Sequence, residues 1–381
     1  MIKYKTKLED SGTTIFTKMS RLAKKHKAIN LGQGFPNYDC DPRLKSLVSK
    51  YLEAGKNQYA PMTGVAKLRQ AISTKINKLY RKTIDAETEV TITAGATQAI
   101  FTAITAFVHP GDEVIIIEPA YDCYKPSILI AGGVPVPYEL SSPDFRIDWN
   151  EIQSLLTDKT KMIVVNTPHN PTGSILEATD MLALQELVSD KNIIVLSDEV
   201  YEHLIYDGVA HESVLKLDKL YQQSIIVYSF GKTFHITGWK IGYAVGPAHL
   251  MKEFRKTHQW NVFSVNSFVQ YALAEFLEDE ENYKGLSSFF QGKRDLFHSY
   301  LKDSKLQAIS SRGTYFQLYD YSELSDKEDT IFAEELVRDH GIASIPISVF
   351  YSSNKQEKLI RFCYAKTNNL LEKAGTILAQ V

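Results

Sequence analysis

The 381-residue chain is 44% hydrophobic and 23% charged, with 43 Lys and Arg against 45 Asp and Glu, a net charge of −2. At about 150 residues per domain, that length accommodates two or three domains, or one large α/β domain with an appendage. The balanced charge gives no electrostatic footprint for nucleic acid, and the three cysteines, Cys40, Cys123 and Cys363, lack the spacing of a disulfide framework or a metal site.

The opening MIKYKTKLED has no apolar signal segment, and runs such as Val114 to Ile117 are too short to span a bilayer, so a cytoplasmic chain is expected. Over 13–28, Ile15, Phe16, Met19, Leu22 and Ala23 recur at helical spacing, with Lys24, Lys25 and Lys27 crowding the last turn. The segment NLGQGFPNYDCD then turns to Gly, Pro and Asn, which predicts irregular backbone that approaches something closely. Helical patterns resume over 44–54 and 65–80. Five apolar, β-branched runs follow, over 90–93, 113–117, 162–165, 193–196 and 225–228, most of them separated by helical stretches. Such alternation predicts a doubly wound, largely parallel sheet with helices on both faces. From 252 to 302 the pattern is mostly helical. Shorter strands over 314–318, 342–345 and 359–363, with helices over 331–340 and 367–378, predict a second, smaller α+β domain. No repeat or low-complexity linker separates the two.

Ligands of open α/β sheets sit beyond the C-terminal ends of the strands, so the polar residues that end these runs are the candidates. Gly95, Ala96 and Thr97 form a small-residue turn opening a helix, whose free N–H groups suit a phosphate; a tight turn explains the glycine equally well. The chain lacks the Gly-x-Gly-x-x-Gly and P-loop patterns there. Asn166 to Gly173 reads as a rigid loop in which Asn170 is either a turn former or a ligand. Asp198 ends a buried run and needs a cation or donor partner. In SFGKTFHITGWKIGY, Lys232 follows a strand among Gly and aromatic residues. Most lysines are solvated surface charges, but these flanks predict burial, where an amine becomes reactive toward carbonyls.

These stretches, with NTPHNPTG, DEVY, TAGATQAI, NLGQGFP, NQYAPMTGV, EPAYDCY and the late Arg361-Phe362-Cys363-Tyr364, resemble the pyridoxal-phosphate aminotransferases of fold type I, from about Gly12 onward in one colinear order. Within class I the resemblance is to the branch of the kynurenine/glutamine aminotransferases and, more closely, the bacterial methionine aminotransferases. It implies a large domain over 46–280 with a mostly parallel seven-stranded sheet, and a small α+β domain from 10–45 with 281–381.

By the same resemblance, Lys232 is the residue that joins pyridoxal 5′-phosphate and shuttles a proton at the substrate's Cα. Asp198 faces the pyridine nitrogen, Asn170 and Tyr201 donate to the phenolic oxygen, and Tyr121 stacks on the ring. Gly95, Ala96, Thr97, Ser229 and Lys240 hold the phosphate; many relatives carry Arg where Lys240 stands. Arg361 grips the α-carboxylate, with Gly34 and Asn170 helping. Tyr59 resembles a tyrosine given to the neighbouring subunit's phosphate site, which implies a homodimer with shared active sites. Phe16, Phe35, Tyr59, Tyr121 and Phe263 match pocket positions, although each alone reads equally as core. His235 is a pocket residue or a satisfied buried histidine, the second being preferred. The implied reaction moves the amino group of methionine, or of aromatic and other large uncharged amino acids, to a 2-oxo acid. The alternative is a kynurenine/glutamine aminotransferase with β-lyase activity on cysteine conjugates or cystathionine. A catalytically silent regulator on this fold is disfavoured, because Lys232, Asp198 and Arg361 are all present.

Overall fold

The first helix, α1 (Ile15–His26), begins where the Thr14 side chain accepts from the Thr17 N–H at 3.3 Å, and ends at Lys27 in the left-handed region. It buries Met19 and Ala23. In this computed structural model, which describes residues 5–8 and 12–381, the chain then forms β1 (Ile29–Asn30), the irregular 31–41 segment, α2 (Pro42–Glu53) and α3 (Ala66–Tyr80). The expected domain start at residue 10 lies outside the described residues.

Seven strands build the central sheet: β2 (Val90–Thr93), β3 (Glu113–Glu118), β4 (Val134–Glu139), β5 (Thr160–Asn166), β6 (Ile194–Asp198), β7 (Ser224–Ser229) and β8 (Gly242–Val245). Their spatial order is β2-β8-β7-β6-β5-β3-β4. Only β8 runs antiparallel to its neighbours. The five anticipated runs are all strands, and side chains buried along the whole of β2 and β6, and along β5 apart from Lys161, mark a sheet covered on both faces. Two strands of this sheet lie outside those five runs. β4 reads VPVPYE, and its two prolines are tolerated because it occupies the sheet edge. β8 is a four-residue run at the end of the lysine motif.

Helix α4 (Ala96–Phe107) opens at Ala96, so Ala96 and Thr97 belong to its first turn. Gly95 precedes it at φ +79, a conformation that favours glycine. The small unit is a four-stranded antiparallel sheet of β9 (Gln307–Ala308), β10 (Phe316–Asp320), β12 (Ile345–Pro346) and β13 (Leu359–Cys363), in the order β12-β13-β10-β9. A separate parallel pair joins β1 to β11 (Ile342–Ala343). The N-terminal segment is thus stitched to the C-terminal part of the chain. A border between 45 and 46 falls inside α2, which instead joins the helix Ser267–Phe276 through Lys50 and Tyr51 on Glu275.

Candidate active site

Three consecutive central strands end in the residues that matter. β6 stops at Asp198, β5 at Asn166, and β7 at Ser229, where the one-turn helix Phe230–Thr233 projects Lys232. Gly231 is required there, because a Cβ would meet the Thr237 Cα at 3.0 Å. These ends, the first turn of α4, the 33–35 loop and Arg361 on β13 enclose a cavity of about 300 Å³. Gly34, Phe16, Gly95, Ala96, Thr97, Tyr121, Asn170, Asp198, Tyr201, Ser229, Lys232, Lys240 and Arg361 all line it. Tyr59 does not; it is 81% exposed and stands edge-on to Phe263, which is also outside the cavity.

Asp198 is buried and accepts from the Tyr124 hydroxyl at 2.7 Å and the Val200 N–H at 3.3 Å. Burial nevertheless raises its pKa to about 6. Lys232 donates to the Tyr315 hydroxyl at 2.9 Å and the Gly34 carbonyl at 3.2 Å, and Tyr315 in turn donates to Gly34 at 2.6 Å. Burial, with Arg361 and Lys240 nearby, lowers the amine's pKa to about 8. Arg361 is buried, with Nη1 on Asn170 Oδ1 at 2.7 Å, Nη2 on the Gly32 carbonyl at 3.2 Å, and the Phe316 ring 3.8 Å from its guanidinium carbon. Its Nε has no partner among the described residues. Desolvation lowers its pKa to about 10, so it stays a cation at neutral pH.

The chain matches the family described as aminotransferase class I and II over residues 26–377. It is 46% identical over 377 residues to the methionine aminotransferase of Escherichia coli (strain K12), covering 99% of this chain and 98% of that one. The chain belongs to the class I and II aminotransferases. The kynurenine–oxoglutarate transaminase of Dictyostelium discoideum is 34% identical over 403 residues, covering 95% and 93% of the two chains. The crystal structure of YbdL from Escherichia coli, described as having a methionine aminotransferase function, superposes with a TM-score of 0.98 at 45% identity over 100% of both chains. The fold is accordingly that of the fold-type I aminotransferases.

This aminotransferase family depends on pyridoxal phosphate, and the cavity's donor set fits that group. A Cβ on Gly95 would stand 3.6 Å from Lys240 Nζ, inside the space where the first turn of α4 and a lysine face each other. An amine near neutrality and a buried carboxylate flank the same cavity. The sequence reading missed three residues that touch this set: Tyr124, Tyr315 and Gln33. Tyr124 was readable as the second aromatic of EPAYDCY, three positions after Tyr121 on a helix start; Tyr315 gave no comparable signal. His235 sits outside the cavity against Tyr38, Phe289 and Phe290. Its Nδ1 lacks a partner among the described residues, so the preferred reading of a satisfied histidine is corrected to a half-buried ring held by aromatic contacts. Burial lowers its pKa to about 4, which keeps it neutral.

Proposed function

We propose that the enzyme transfers the amino group of methionine, and secondarily of aromatic and other large uncharged amino acids, to a 2-oxo acid with pyridoxal 5′-phosphate as cofactor. The observation that carries this reading is the charge inventory of the cavity: its lining cations are Lys232, Lys240 and Arg361. When bound, the cofactor supplies an electron sink for the carbanion at the substrate's Cα. Lys232, about half neutral near pH 8, takes and returns the Cα proton. Asp198, which Tyr124 orients, would favour a protonated pyridine nitrogen by its charge. Tyr201 and Asn170 would donate to the cofactor's phenolic oxygen, and Tyr121 would supply the aromatic wall beside its ring. Gly95, Ala96, Thr97, Ser229 and Lys240 take the phosphate. Arg361, with Gly34 and Asn170, takes the α-carboxylate.

All three cations then have tasks, and none is left for a second carboxylate. Phe16 and Phe35 line the remaining space, and Asp122 adds an acid to it. Burying a thioether or ring there gains about 1.5–3 kcal/mol, whereas an unpaired carboxylate costs several kcal/mol. Specificity constants for methionine, phenylalanine and aspartate test this, with methionine expected highest. A preference for aspartate would overturn the reading. Pyruvate, ammonia and thiol from cystathionine, in place of a full-length oxo acid, would mark a β-lyase instead.

The exposure of Tyr59 supports a homodimer in which it serves the partner's phosphate site, checked by sedimentation and by mixing Tyr59→Phe with Lys232→Ala subunits. Three free cysteines support a reducing, cytoplasmic setting, and no helix of the described residues is long and apolar enough to cross a membrane. The β1–β11 pairing supports grouping the N-terminal segment with 281–381 as one domain against 46–280, with the border moved ahead of α2.

A further inference from the structure

Residues 31–37 belong to no sheet, yet their backbone is held at nearly every step by side chains and amides from far along the chain. The Leu31 carbonyl accepts from the Cys363 N–H at 2.7 Å. Arg361 Nη2 reaches the Gly32 carbonyl at 3.2 Å, and the Asn37 side chain accepts from the Thr367 N–H at 2.7 Å. Between them, one side chain takes two carbonyls: Lys366 Nζ donates to Gln33 at 3.2 Å and to Phe35 at 2.7 Å. The carbonyl in the middle, that of Gly34, is the one that receives both Lys232 and Tyr315.

Lys366 is only 2% exposed, and no carboxylate of the described residues lies within ion-pairing distance of it. A buried ammonium is costly unless it is hydrogen-bonded. An apolar side chain would fill the same volume with less desolvation, so what the ammonium adds is its bonds to the loop. Because it holds the carbonyls on either side of Gly34, this stretch of the loop cannot shift away from Lys232 as a body without breaking one of them. The loop and Arg361 are therefore tied to one strand extension, 361–367.

We propose that Lys366 is a positioning residue for transamination: by bridging Gln33 and Phe35 it fixes the Gly34 carbonyl against Lys232 and Tyr315, and makes the 31–37 loop move with Arg361 as one body. The proposal rests on Lys232 being the reactive amine. It acts through the loop and touches neither substrate nor cofactor.

The test compares wild type, Lys366→Met and Lys366→Arg, each without cofactor and loaded with pyridoxal phosphate. Amide hydrogen exchange over 29–38 is expected to quicken about tenfold or more in Lys366→Met, as two charge-assisted bonds are lost, with protection elsewhere and the melting temperature unchanged. In the loaded enzyme kcat/KM should fall on the order of 10²-fold, as for other small misplacements of reacting groups, and the pH midpoint of the Lys232-linked absorbance band should shift. Lys366→Arg, which keeps two or more donors, should restore loop protection and most of the activity. Unchanged exchange and kcat/KM in Lys366→Met would overturn the proposal, as would a loss of activity that follows global destabilisation and is not rescued by Arg. If Lys366→Met does not fold, Lys366→Gln is measured in its place against the same outcomes. Kinetics are taken with whichever amino acid the wild type turns over, and exchange needs none. Inactivity of the wild type on methionine would thus refute the substrate and leave the loop result standing.

Discussion

Asp198 and Glu199 are neighbours at the end of β6, both buried, and they live in opposite electrostatic worlds. Glu199 accepts from Ser197 at 3.0 Å, the Val214 N–H at 3.1 Å and the Tyr228 hydroxyl at 3.0 Å, and pairs with His211 at 3.0 Å. One turn on, Glu202 pairs with buried Lys75 and accepts from the Tyr80 hydroxyl at 2.7 Å. Although burial acts to raise the Glu202 pKa, Lys75 and its other partners hold it down to about 2. Asp198 has two donors and no close cation, and burial pushes it up to about 6; Lys232 across the cavity is pushed down to about 8. A region that leaves its charges under-compensated keeps them available for a ligand, and a region that satisfies them fastens α3 to the sheet. Burial of a carboxylate does not separate these roles; its partners do.

The sharpest way to break this comparison is at Lys232. Lys232→Ala is expected to lower turnover by roughly 10⁴-fold or more, since the proposed function makes the amine both attachment point and proton carrier, while the cofactor-free protein melts no lower than wild type. Borohydride reduction followed by peptide mapping should label Lys232; a label on Lys240 would exchange the roles of the two lysines.

In the compensated region the pattern reverses. Lys75→Met strands a buried carboxylate and should cost about 3–5 kcal/mol in urea unfolding, with turnover per folded molecule unchanged. Adding Glu202→Leu should recover most of that loss. A single variant that lost activity and kept its stability would place Lys75 with the site.

Asp198→Asn should lower turnover by about 10²–10³-fold, the usual effect of deleting a preorganised charge, and should stabilise the cofactor-free protein. The sign follows from a native pKa above the unfolded one. Between about pH 4 and 6 the folded state holds the extra proton, so wild-type stability falls as pH rises through that window and stays lower above it. The Asn variant lacks this penalty, so its advantage, on the order of 1–3 kcal/mol, should be full above pH 6 and vanish below pH 4. Equal stabilities at pH 7 would show that the carboxylate is better compensated than its two donors suggest.

The smallest change is Tyr124→Phe. Removing that hydroxyl withdraws a bond that favours the Asp198 carboxylate, so the upper edge of the same window should move up by at most about one pH unit, read from the same urea titrations.

Asp198 and Lys232 were legible because each stands where an apolar β-like run ends and a parallel sheet binds ligands, and Arg361 because Ile360 and Phe362 flank a charge inside an apolar run, here a strand of the small antiparallel sheet. β4 was not, because Pro135 and Pro137 contradict a strand unless one knows it lies at an edge with a free side. Tyr315 and Lys366 were illegible for a different reason. Their partners stand 281 residues away at Gly34 and 331 away at Phe35, and no local pattern encodes such a meeting. The Tyr59 and Phe263 positions show the converse: a motif match put both at the pocket, whereas within one chain they lie outside it.

The pairing of the 31–37 loop with 361–367 also sets an order of birth. Every residue assigned to the cofactor, apart from Tyr59, lies between Gly95 and Lys240, and the sheet that carries them ends at Val245. The amino-acid side waits for anchors 330 residues downstream of Asn37. At a synthesis rate of about 5–20 residues per second, the nascent loop spends on the order of half a minute without its hydrogen-bond partners. The two halves of the cavity therefore mature in sequence, the strand ends around Asp198 and Lys232 first and the side tied to Arg361 last.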